Sequence, residues 1–358
     1  MSNRDRYLLI ISCSYVDDPN NRLYGTYNDA ISFRDYLKTN ISNIKKIYEL
    51  HDDPSYPLRS AQTKPTATNM INSMIKILKE ANTNKETEVI IYYTGHGTYT
   101  YDKNGDEKNV KYQASLEANN LNDKKADDID SYDEALVPVD FGVLKNGQYN
   151  LLTDDMIKQI IQQNGGAKTR VSLFFDCCHS GTLCDLKYNY RYYVNKAGKT
   201  TTTLMTDIMN NISDNIKSTV VTFSACSDSQ QSAEQRIGNT TRGLMTYGLV
   251  QSLKANPSKD VFVIGREVNN VVLNNLNGQQ NVRITSNIDL RDPKNINYRY
   301  LLDGDRFRGD ISISNTPIAS TNTPNTFNTI NTVNTVNNQK IKPSQNKTGL
   351  SGIIKYLI

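Results

Sequence analysis

The chain alternates between short, continuous apolar runs and longer stretches in which apolar residues recur every three or four positions. The short runs predict buried strands at residues 7–12, 46–50, 89–93, 170–175 and 218–225. The periodic stretches predict helices that start near residue 28 and at residues 68–81, 153–163, 242–253 and 265–276. Strands that alternate with helices favour a mostly parallel sheet with helices on both faces, so we expect an α/β fold.

Polar side chains mark the start of two of these helices. Asn28 or Asp29 can cap the first helix, and Thr153 can cap the third, because their side-chain oxygens accept hydrogen bonds from backbone N–H groups. Capping a helix is therefore one role that would account for Asp29, and binding a ligand is a second.

Three polar stretches interrupt or follow the periodic pattern. Residues 98–133 are rich in Asp, Asn and Lys, which predicts a long surface insertion. Residues 186–217 contain several basic residues in polar sequence, which predicts a flexible junction. Residues 311–358 are mostly Asn, Thr, Ser and Pro, which predicts a disordered tail. The end of this tail is apolar again, and either docking on a partner or a poorly ordered end would explain it.

The chain has 358 residues and a net charge of +4, from 41 basic and 37 acidic residues. The charges are balanced and form no long basic block, so we expect no nucleic-acid partner. No run of about 18 apolar residues is present, and the first residues do not resemble a signal peptide, so we expect no membrane span and a cytoplasmic location. The five cysteines do not form the pattern of a secreted disulfide framework.

Candidate chemistry follows two of the predicted strands. One strand leads into the sequence DCCHSG (176–181), and another leads into TGHG (94–97). A thiol is the strongest nucleophile available at neutral pH, but it needs a base that removes its proton. The chain contains three histidines, His51, His96 and His179. Of these, His96 is the one that a second strand of the sheet would deliver to a cysteine.

The sequences DCCHSG and YYTGHG (92–97) resemble the motifs of the metacaspases, which are caspase-fold cysteine peptidases. This resemblance implies a caspase-like three-layer sandwich around a mostly parallel β-sheet, of the type I form without a long N-terminal extension. It implies a large catalytic part at residues 1–185, a junction at 186–217 and a small part of the same fold at 218–310. The basic junction is where such an enzyme could process itself.

The resemblance implies that Cys178, which directly precedes His179, is the nucleophile, and that Cys177 is a structural neighbour facing the core. His96 would act as general base and acid, and the backbone N–H groups of Gly97 and Cys178 would form the oxyanion hole. His179 is the competing base. However, a residue adjacent to the nucleophile is expected to point its side chain away from it.

A metal site or a purely structural role accounts less well for the cysteines. A zinc site would draw its ligands from Cys177, Cys178, His179 and Cys184, but adjacent cysteines do not easily reach the same tetrahedral ion. A structural role as core thiols would leave the polar residues around them unexplained. Cys226, which follows the last predicted strand, is expected to be structural.

Asp176 lies two residues before Cys178 and on the same side of an extended strand end, because side chains alternate along a strand. A carboxylate beside the thiol disfavours its ionisation, so a better role for Asp176 is to receive a cationic substrate side chain. The resemblance adds Asp29 and Thr94 to this pocket. It therefore implies cleavage after Arg or Lys, in protein or peptide substrates with basic residues.

The resemblance also assigns four carboxylates to a calcium site, namely Asp140, Asp154, Asp155 and Asp185. Oxygen ligands from several loops suit Ca²⁺, and carboxylates brought together would repel one another without a cation. Asp154 and Asp155 would also be accounted for without a metal, because acidic residues favour the N-terminus of a helix.

The sequence thus predicts a calcium-dependent cysteine endopeptidase that cleaves after Arg or Lys and processes itself. The resemblance implies a monomer. Two alternatives remain from the residues alone. One is a caspase-fold scaffold without catalytic activity, and the other is a related cysteine hydrolase of the separase or legumain type.

Overall fold

In the computed structural model, the described residues are 4–101, 111–112, 132–142, 149–178, 180–181, 183–194, 200–210, 215–226, 232, 234–255, 260–276 and 281–300. All of them lie in the first of two compact units, Met1–Arg306. The second unit, Phe307–Ile358, lies outside the described residues, and so does the predicted tail.

The described strands are β1 (Asp5–Ser12), β2 (Ile44–His51), β3 (Thr87–Thr94), β4 (Gly97–Tyr101), β5 (Lys111–Tyr112), β6 (Tyr132–Leu136), β7 (Leu152–Thr153), β8 (Thr169–Asp176), β9 (Tyr188–Val194), β10 (Thr200–Asn210), β11 (Thr219–Ser224), β12 (Glu234–Ile237), β13 (Thr240–Gly243) and β14 (Arg283–Ser286). The described helices are α1 (Thr26–Asn40), α2 (Ala67–Ala81), α3 (Asp154–Asn164), α4 (Leu244–Ala255), α5 (Val261–Leu276) and a 3₁₀ helix over Pro293–Arg299. None of the helices in the described part of the chain is long and apolar enough to cross a bilayer.

Nine strands form the central sheet, in the order β2-β1-β3-β8-β11-β14-β9-β10-β5. Neighbouring strands pair in parallel from β2 to β11 and antiparallel from β11 to β5. The parallel half places the carboxyl ends of β1, β3 and β8 at one edge, where open α/β sheets bind their ligands. Two smaller sheets are formed by β4-β6-β7 and by the hairpin β12-β13.

Side chains alternate across the central strands and fill two separate cores. Leu9 and Ile11 of β1 pack on one face with residues of α2 and α3. Leu8 and Ile10 pack on the other face with residues of α1, α4 and α5. Successive side chains of a strand point to opposite faces, so a sheet buried on both sides reads as a continuous apolar run. The predicted α/β three-layer sandwich is confirmed.

The two predicted helix caps have different outcomes. α1 begins at Thr26 with Gly25 at the N-cap and without a side-chain cap, so the cap predicted at Asn28 or Asp29 is wrong. Asp29 instead lies in the first turn of the helix with its side chain buried. The cap at Thr153 is confirmed, since its hydroxyl oxygen accepts a hydrogen bond from the N–H of Met156 over 3.3 Å.

The prediction of a flexible junction over residues 186–217 is wrong for most of its length. β9 and β10 lie within it, pair with each other and extend the central sheet. Tyr190 and Tyr192 of β9 are buried. Tyrosines that alternate with polar residues are typical of a strand, but the polar composition of the segment concealed this pattern. Residues 195–199, between the two strands, lie outside the described residues.

The predicted insertion over residues 98–133 begins later than expected, because β4 pairs with β6 directly after the His96 loop. Residues 102–110 and 113–131 lie outside the described residues. The sequence also missed β12, β13 and β14, which are four residues long each. Strands of that length leave too few positions for a periodic pattern.

Candidate active site

The two strands that carry the predicted dyad are neighbours in the sheet. β3 and β8 pair in parallel, with Thr94 opposite Asp176 at the carboxyl end. His96 and Cys178 follow these positions, so both lie at the same edge of the sheet. Gly97 lies against Cys178, because a Cβ atom at Gly97 would overlap the carbonyl oxygen of Cys178. The structure therefore brings the loop that carries His96 and Gly97 into contact with the loop that carries Cys178.

The imidazole of His96 is nearly buried and is oriented by a backbone carbonyl. Its Nε2 atom lies 2.8 Å from the carbonyl oxygen of Asn21, which can only accept a hydrogen bond. The neutral ring therefore carries its proton on Nε2, and the lone pair of Nδ1 is left to accept a proton. Burial lowers the pKa of His96, although the Asn21 carbonyl and the Asp18 carboxylate oppose this effect. The ring is thus neutral at neutral pH, as a general base must be.

The thiol of Cys178 is partly exposed, whereas the other cysteines are buried. Its Sγ atom accepts a hydrogen bond from the backbone N–H of Ser232 over 3.2 Å and lies 3.8 Å from the carbonyl oxygen of that residue. Burial raises the pKa of Cys178 to about 11; the N–H of Ser232 opposes this rise, and the carboxylate of Asp176 adds to it. In this conformation the Cys178 side chain is a protonated thiol.

The remaining cysteines pack in the interior. Cys177 and Cys184 belong to the core beneath α2 and α3, which confirms the prediction that Cys177 faces the core. Cys226 is buried, and its thiol lies 3.3 Å from the carbonyl oxygen of Cys177. Within the described ranges, the group of side chains that could hold a metal ion contains no cysteine. The zinc alternative has no support there, and His179 lies outside the described residues.

His51 is engaged through both ring nitrogens. Its Nδ1 atom lies 2.7 Å from the hydroxyl oxygen of Ser12, and its Nε2 atom lies 3.1 Å from a carboxylate oxygen of Glu49. The ring is completely buried, so no substrate can reach it. His51 is therefore a structural residue, in agreement with the choice of His96 as the base.

Two of the predicted pocket residues, Asp29 and Asp176, converge on Gly243. The N–H of Gly243 donates to Oδ2 of Asp29 over 2.6 Å, and a Cβ atom at Gly243 would lie 2.5 Å from Oδ2 of Asp176. Among the residues that the structure describes, Oδ1 of Asp29 is buried without a hydrogen-bond partner. Burial raises the pKa of Asp29 well above its usual range, and the Asp176 carboxylate raises it further. Two buried carboxylates with an unused oxygen suit a cationic ligand.

Asp176 is held from two sides. Its Oδ2 atom accepts hydrogen bonds from the N–H and the hydroxyl of Thr246, over 3.0 and 2.6 Å. Its Oδ1 atom accepts a hydrogen bond from the hydroxyl of Ser232 over 2.9 Å. Thr94, the third predicted pocket residue, is buried at the end of β3. Ser232 therefore contacts both the nucleophile and a carboxylate of the pocket.

A second group of carboxylates lies apart from the pocket residues. Glu134 of β6, Asp154 at the start of α3 and Asp185 before β9 are buried, and they offer oxygen atoms that all lie within 4.8 Å of one another. Lys158, one turn further along α3, places its Nζ atom 3.9 Å from Oδ2 of Asp185. Carboxylates contributed by separate segments are the ligands that Ca²⁺ prefers, so these residues fit that cation.

The other two predicted calcium residues are not in this group. Oδ1 of Asp140 accepts a hydrogen bond from the N–H of Ala67, the first residue of α2, over 2.8 Å. Asp140 thus stabilises a helix N-terminus, a role that the sequence suggested only for Asp154 and Asp155. Asp155 lies in the first turn of α3, outside the group.

A family model of the caspase domain matches residues 5–291 of the chain. This match extends over most of the described residues, including every residue of the site above. The chain belongs to the caspase domain family.

Relatives of this caspase-domain chain carry the name metacaspase. Metacaspase-1B of Neurospora crassa is 26% identical over 287 residues, which are 70% of this chain and 60% of that protein. Metacaspase-1 of Sclerotinia sclerotiorum is 26% identical over 290 residues, which are 71% of this chain and 60% of that protein. The chain thus spans about 60% of the length of these curated relatives. A solved structure from Geobacter sulfurreducens matches 79% of this chain and 93% of its own, with a TM-score of 0.46 and 17% identity.

Three residues of the caspase-domain site could not be found from the sequence. Asn21 acts through its backbone carbonyl, which every residue possesses, so its side chain gives no signal. Ser232 reaches the site because the β12-β13 hairpin is tied to the start of α1, where Glu234 accepts hydrogen bonds from the N–H groups of Tyr24 and Gly25. Glu134 lies in a polar segment with many other acidic residues, and nothing in its spacing distinguishes it.

The state of the Cys178 thiol predicts how fast the chain is alkylated. Because the pKa is raised to about 11, the rate of reaction with iodoacetamide should keep rising with pH, by about tenfold per unit, as the thiolate fraction grows. Peptide mass spectrometry after brief exposure should find the label at Cys178. A rate that levels off near neutral pH would contradict the protonated resting thiol.

The buried pocket predicts that Asp29→Asn stabilises the chain. Burial raises the pKa of Asp29 in the folded chain above the value of about 3.9 that an unfolded chain has. The carboxyl therefore contributes stability that is fully present below about pH 3.9 and is lost as the pH rises through the folded pKa. Asparagine does not ionise, so the variant keeps its stability as the pH rises. Its free energy of unfolding should exceed that of the wild type at pH 7 by about 1–3 kcal/mol.

The measurement is denaturant unfolding of both proteins at a series of pH values from about 4 upward, because the pKa of the Asp29 carboxyl is raised above its usual value. Asp35→Asn, on the exposed side of the same helix, serves as the control for loss of a charge. The prediction is contradicted if Asp29→Asn is less stable than wild type at pH 7, or if the difference in free energy of unfolding does not change with pH. Either result would show that burial does not disfavour the ionised form of Asp29.

Proposed function

We propose that this chain is a cysteine endopeptidase that cleaves after Arg or Lys. Membership of the caspase domain family and the similarity to metacaspases support peptide-bond cleavage. The observation that carries the specificity is the buried pair Asp29 and Asp176 beside the Cys178 loop, with an oxygen of Asp29 that has no partner in the described part of the chain. Such a pocket is incomplete without a cation.

The proposed chemistry begins with transfer of the Cys178 thiol proton to Nδ1 of His96. The sulfur then attacks the scissile carbonyl carbon, and the backbone N–H groups of Gly97 and Cys178 stabilise the oxyanion. His96 gives the proton to the departing amine as the C–N bond breaks, which leaves a thioester on Cys178. A water molecule, deprotonated by His96, then attacks the thioester and releases the carboxylic acid and the thiol.

The pocket distinguishes between substrates by charge. A guanidinium or ammonium group beside Asp29 and Asp176 would favour their ionised forms and so offset the burial that raises their pKa values. Arginine can donate several parallel hydrogen bonds to a carboxylate, and lysine binds as a point charge. A substrate aspartate would add a third carboxylate to a buried pair and is excluded by repulsion.

Substrate binding requires a movement of Ser232. Its hydroxyl occupies the Oδ1 atom of Asp176 that a substrate cation would use, and its N–H is bonded to the attacking sulfur. Displacement of Ser232 by the substrate would free both atoms at once. The closed conformation therefore accounts for a resting thiol that is protonated until the pocket is filled.

We also propose that calcium regulates the enzyme through Glu134, Asp154 and Asp185. The support is that these buried carboxylates come from three separate segments and place their oxygens within 4.8 Å of one another. When bound, the cation would offset the repulsion between them and tie β6 and α3 to the segment that follows the nucleophile. Lys158 offsets part of the same negative charge, since its Nζ atom lies 3.9 Å from Oδ2 of Asp185.

Self-processing, a monomeric state and a cytoplasmic location remain predictions from the sequence. Cleavage within β9 or β10 would require these paired strands to open, so residues 195–199, with Lys196 and Lys199, are the better candidates.

The pocket assignment predicts the effect of two conservative variants on fluorogenic peptides. Asp29→Asn and Asp176→Asn should each lower kcat/KM for cleavage after Arg by about 30-fold or more, because each removes a charge that pairs with the substrate. Asp35→Asn should leave the rate unchanged. Asp176→Asn should also quicken iodoacetamide labelling of Cys178, since the carboxylate that disfavours the thiolate is gone.

Efficient cleavage after Asp by the wild type would contradict the pocket. Loss of both peptide cleavage and Cys178 labelling in Asp176→Asn would indicate a misfolded variant, and Asp29→Asn would then decide the matter. A wild type that cleaves no peptide would favour the scaffold alternative.

The calcium proposal predicts a thermal shift that depends on residues the structure groups together. Calcium should raise the Tm of the wild type, and Glu134→Gln or Asp154→Asn should abolish this rise. Asp140→Asn should lower the Tm, because it weakens the start of α2, but should keep the response to calcium. If Asp140→Asn loses the response while Glu134→Gln keeps it, the assignment from the sequence is right and the structural group is wrong.

A further inference from the structure

The segment between β1 and α1 contacts His96 not only through the Asn21 carbonyl but also through Tyr15. The ring of Tyr15 packs on the imidazole, with centroids 4.7 Å apart and planes inclined by 34°. The backbone N–H of His96 donates to the hydroxyl oxygen of Tyr15 over 2.9 Å. Tyr15 is only 2% exposed, so water does not compete for these contacts. One side chain therefore contacts both the ring and the backbone of the general base.

Two buried tyrosines complete the surroundings of the His96 backbone. The hydroxyl of Tyr15 donates to the carbonyl oxygen of Val137 over 2.6 Å. The hydroxyl of Tyr93 donates to the carbonyl oxygen of His96 over 2.7 Å, and the N–H of Val137 donates to the same oxygen over 3.2 Å. Burial raises the pKa of Tyr15 and of Tyr93 well above the usual value, so both hydroxyls keep their protons at neutral pH.

The backbone at Tyr15 is strained and is held in that state by its neighbours. Its φ angle of 52° lies in the left-handed region, which bulky residues rarely adopt. The carboxylate of Asp52 accepts hydrogen bonds from the N–H groups of Ser14 over 2.6 Å and Val16 over 3.0 Å, on either side of Tyr15. Strain that surrounding contacts maintain is typical of functional sites. The fold thus specifies where the Tyr15 ring points.

We propose that Tyr15 is a positioning residue for His96. Its ring sets the plane of the imidazole and its hydroxyl fixes the backbone, so that Nε2 stays on the Asn21 carbonyl and Nδ1 remains the proton acceptor. A hydroxyl is required because it both accepts from His96 and donates to Val137. This inference rests on the proposed peptidase function, in which His96 is the base.

Tyr15→Phe tests the hydroxyl while it keeps the ring. The variant should lower kcat by on the order of 10- to 100-fold, because a misplaced catalytic group is costly, while KM changes little. The acid limb of the kcat profile reports the base in the enzyme–substrate complex, in which the substrate cation keeps Asp29 and Asp176 ionised, and it should move to higher pH. A less firmly held imidazole is better solvated, and it is burial that lowers the pKa of His96. Titration of active sites with a thiol-reactive inhibitor corrects for misfolded protein.

Tyr36→Phe is the matched control. Tyr36 is also a buried tyrosine whose hydroxyl donates to a backbone carbonyl, that of Leu253, over 3.1 Å. This variant should lose stability but keep the acid limb of the wild type. If Tyr15→Phe lowers activity only in proportion to the fraction of active sites, with an unchanged acid limb, Tyr15 is merely structural and the proposal is overturned.

A second readout does not depend on turnover. Nitrogen-15 NMR of the histidine rings in the Cys178→Ala background should find His96 protonated on Nε2 and titrating below the usual value of about 6.5. Adding Tyr15→Phe should raise the pKa of His96. If that variant does not fold, Asp52→Asn should raise the same pKa, because it weakens the hydrogen bonds that hold the backbone on either side of Tyr15. An unchanged titration in the folded variant overturns the proposal. Because the NMR result stands even if the wild type cleaves no peptide, failure of the peptidase function can be told apart from failure of this inference.

Discussion

The parallel pairing of β3 with β8 is the constraint on which the candidate site depends. Thr94 and Asp176 are opposite each other at the end of this pair, so the residues that follow each strand must meet. The close approach of Gly97 to the carbonyl of Cys178 shows how little space remains between the two loops. A shift of one residue in register would turn the side chains of a strand to the other face and separate His96, Cys178 and Asp176.

Burial has opposite consequences for the two halves of the dyad. It keeps the His96 imidazole neutral and ready to accept a proton, but it also keeps the Cys178 thiol protonated. The same burial disfavours the ionised forms of Asp29 and Asp176, and the Asp176 carboxylate further disfavours that of Asp29. A cationic substrate would offset the second effect and displace Ser232. If the chain cleaves after Arg or Lys as proposed, binding of that side chain and activation of the thiol would be a single event.

Much of the fold followed from the sequence because the central strands are continuous apolar runs and the helices are periodic. The residues at strand ends, His96, Cys178 and Asp176, could be found because polar residues after apolar runs are conspicuous. Asn21, Tyr15 and Ser232 could not, because they act through backbone groups or through contacts between segments far apart in the chain. The role of Asp140 could not be decided from the sequence for a related reason, since a carboxylate that stabilises the start of α2 and one that binds a metal look alike in sequence.

The central claim is that one cysteine, a base and a cation-binding pocket act together at this edge of the sheet. The most direct measurement is intact-mass and peptide mass spectrometry after reaction with a peptidyl-arginine chloromethyl ketone, beside its aspartyl counterpart. We predict one adduct per chain, on Cys178, formed far faster with the arginine compound and slowed when the pocket carboxylates are neutralised. Equal reaction with both compounds, or modification at another cysteine, would contradict the account.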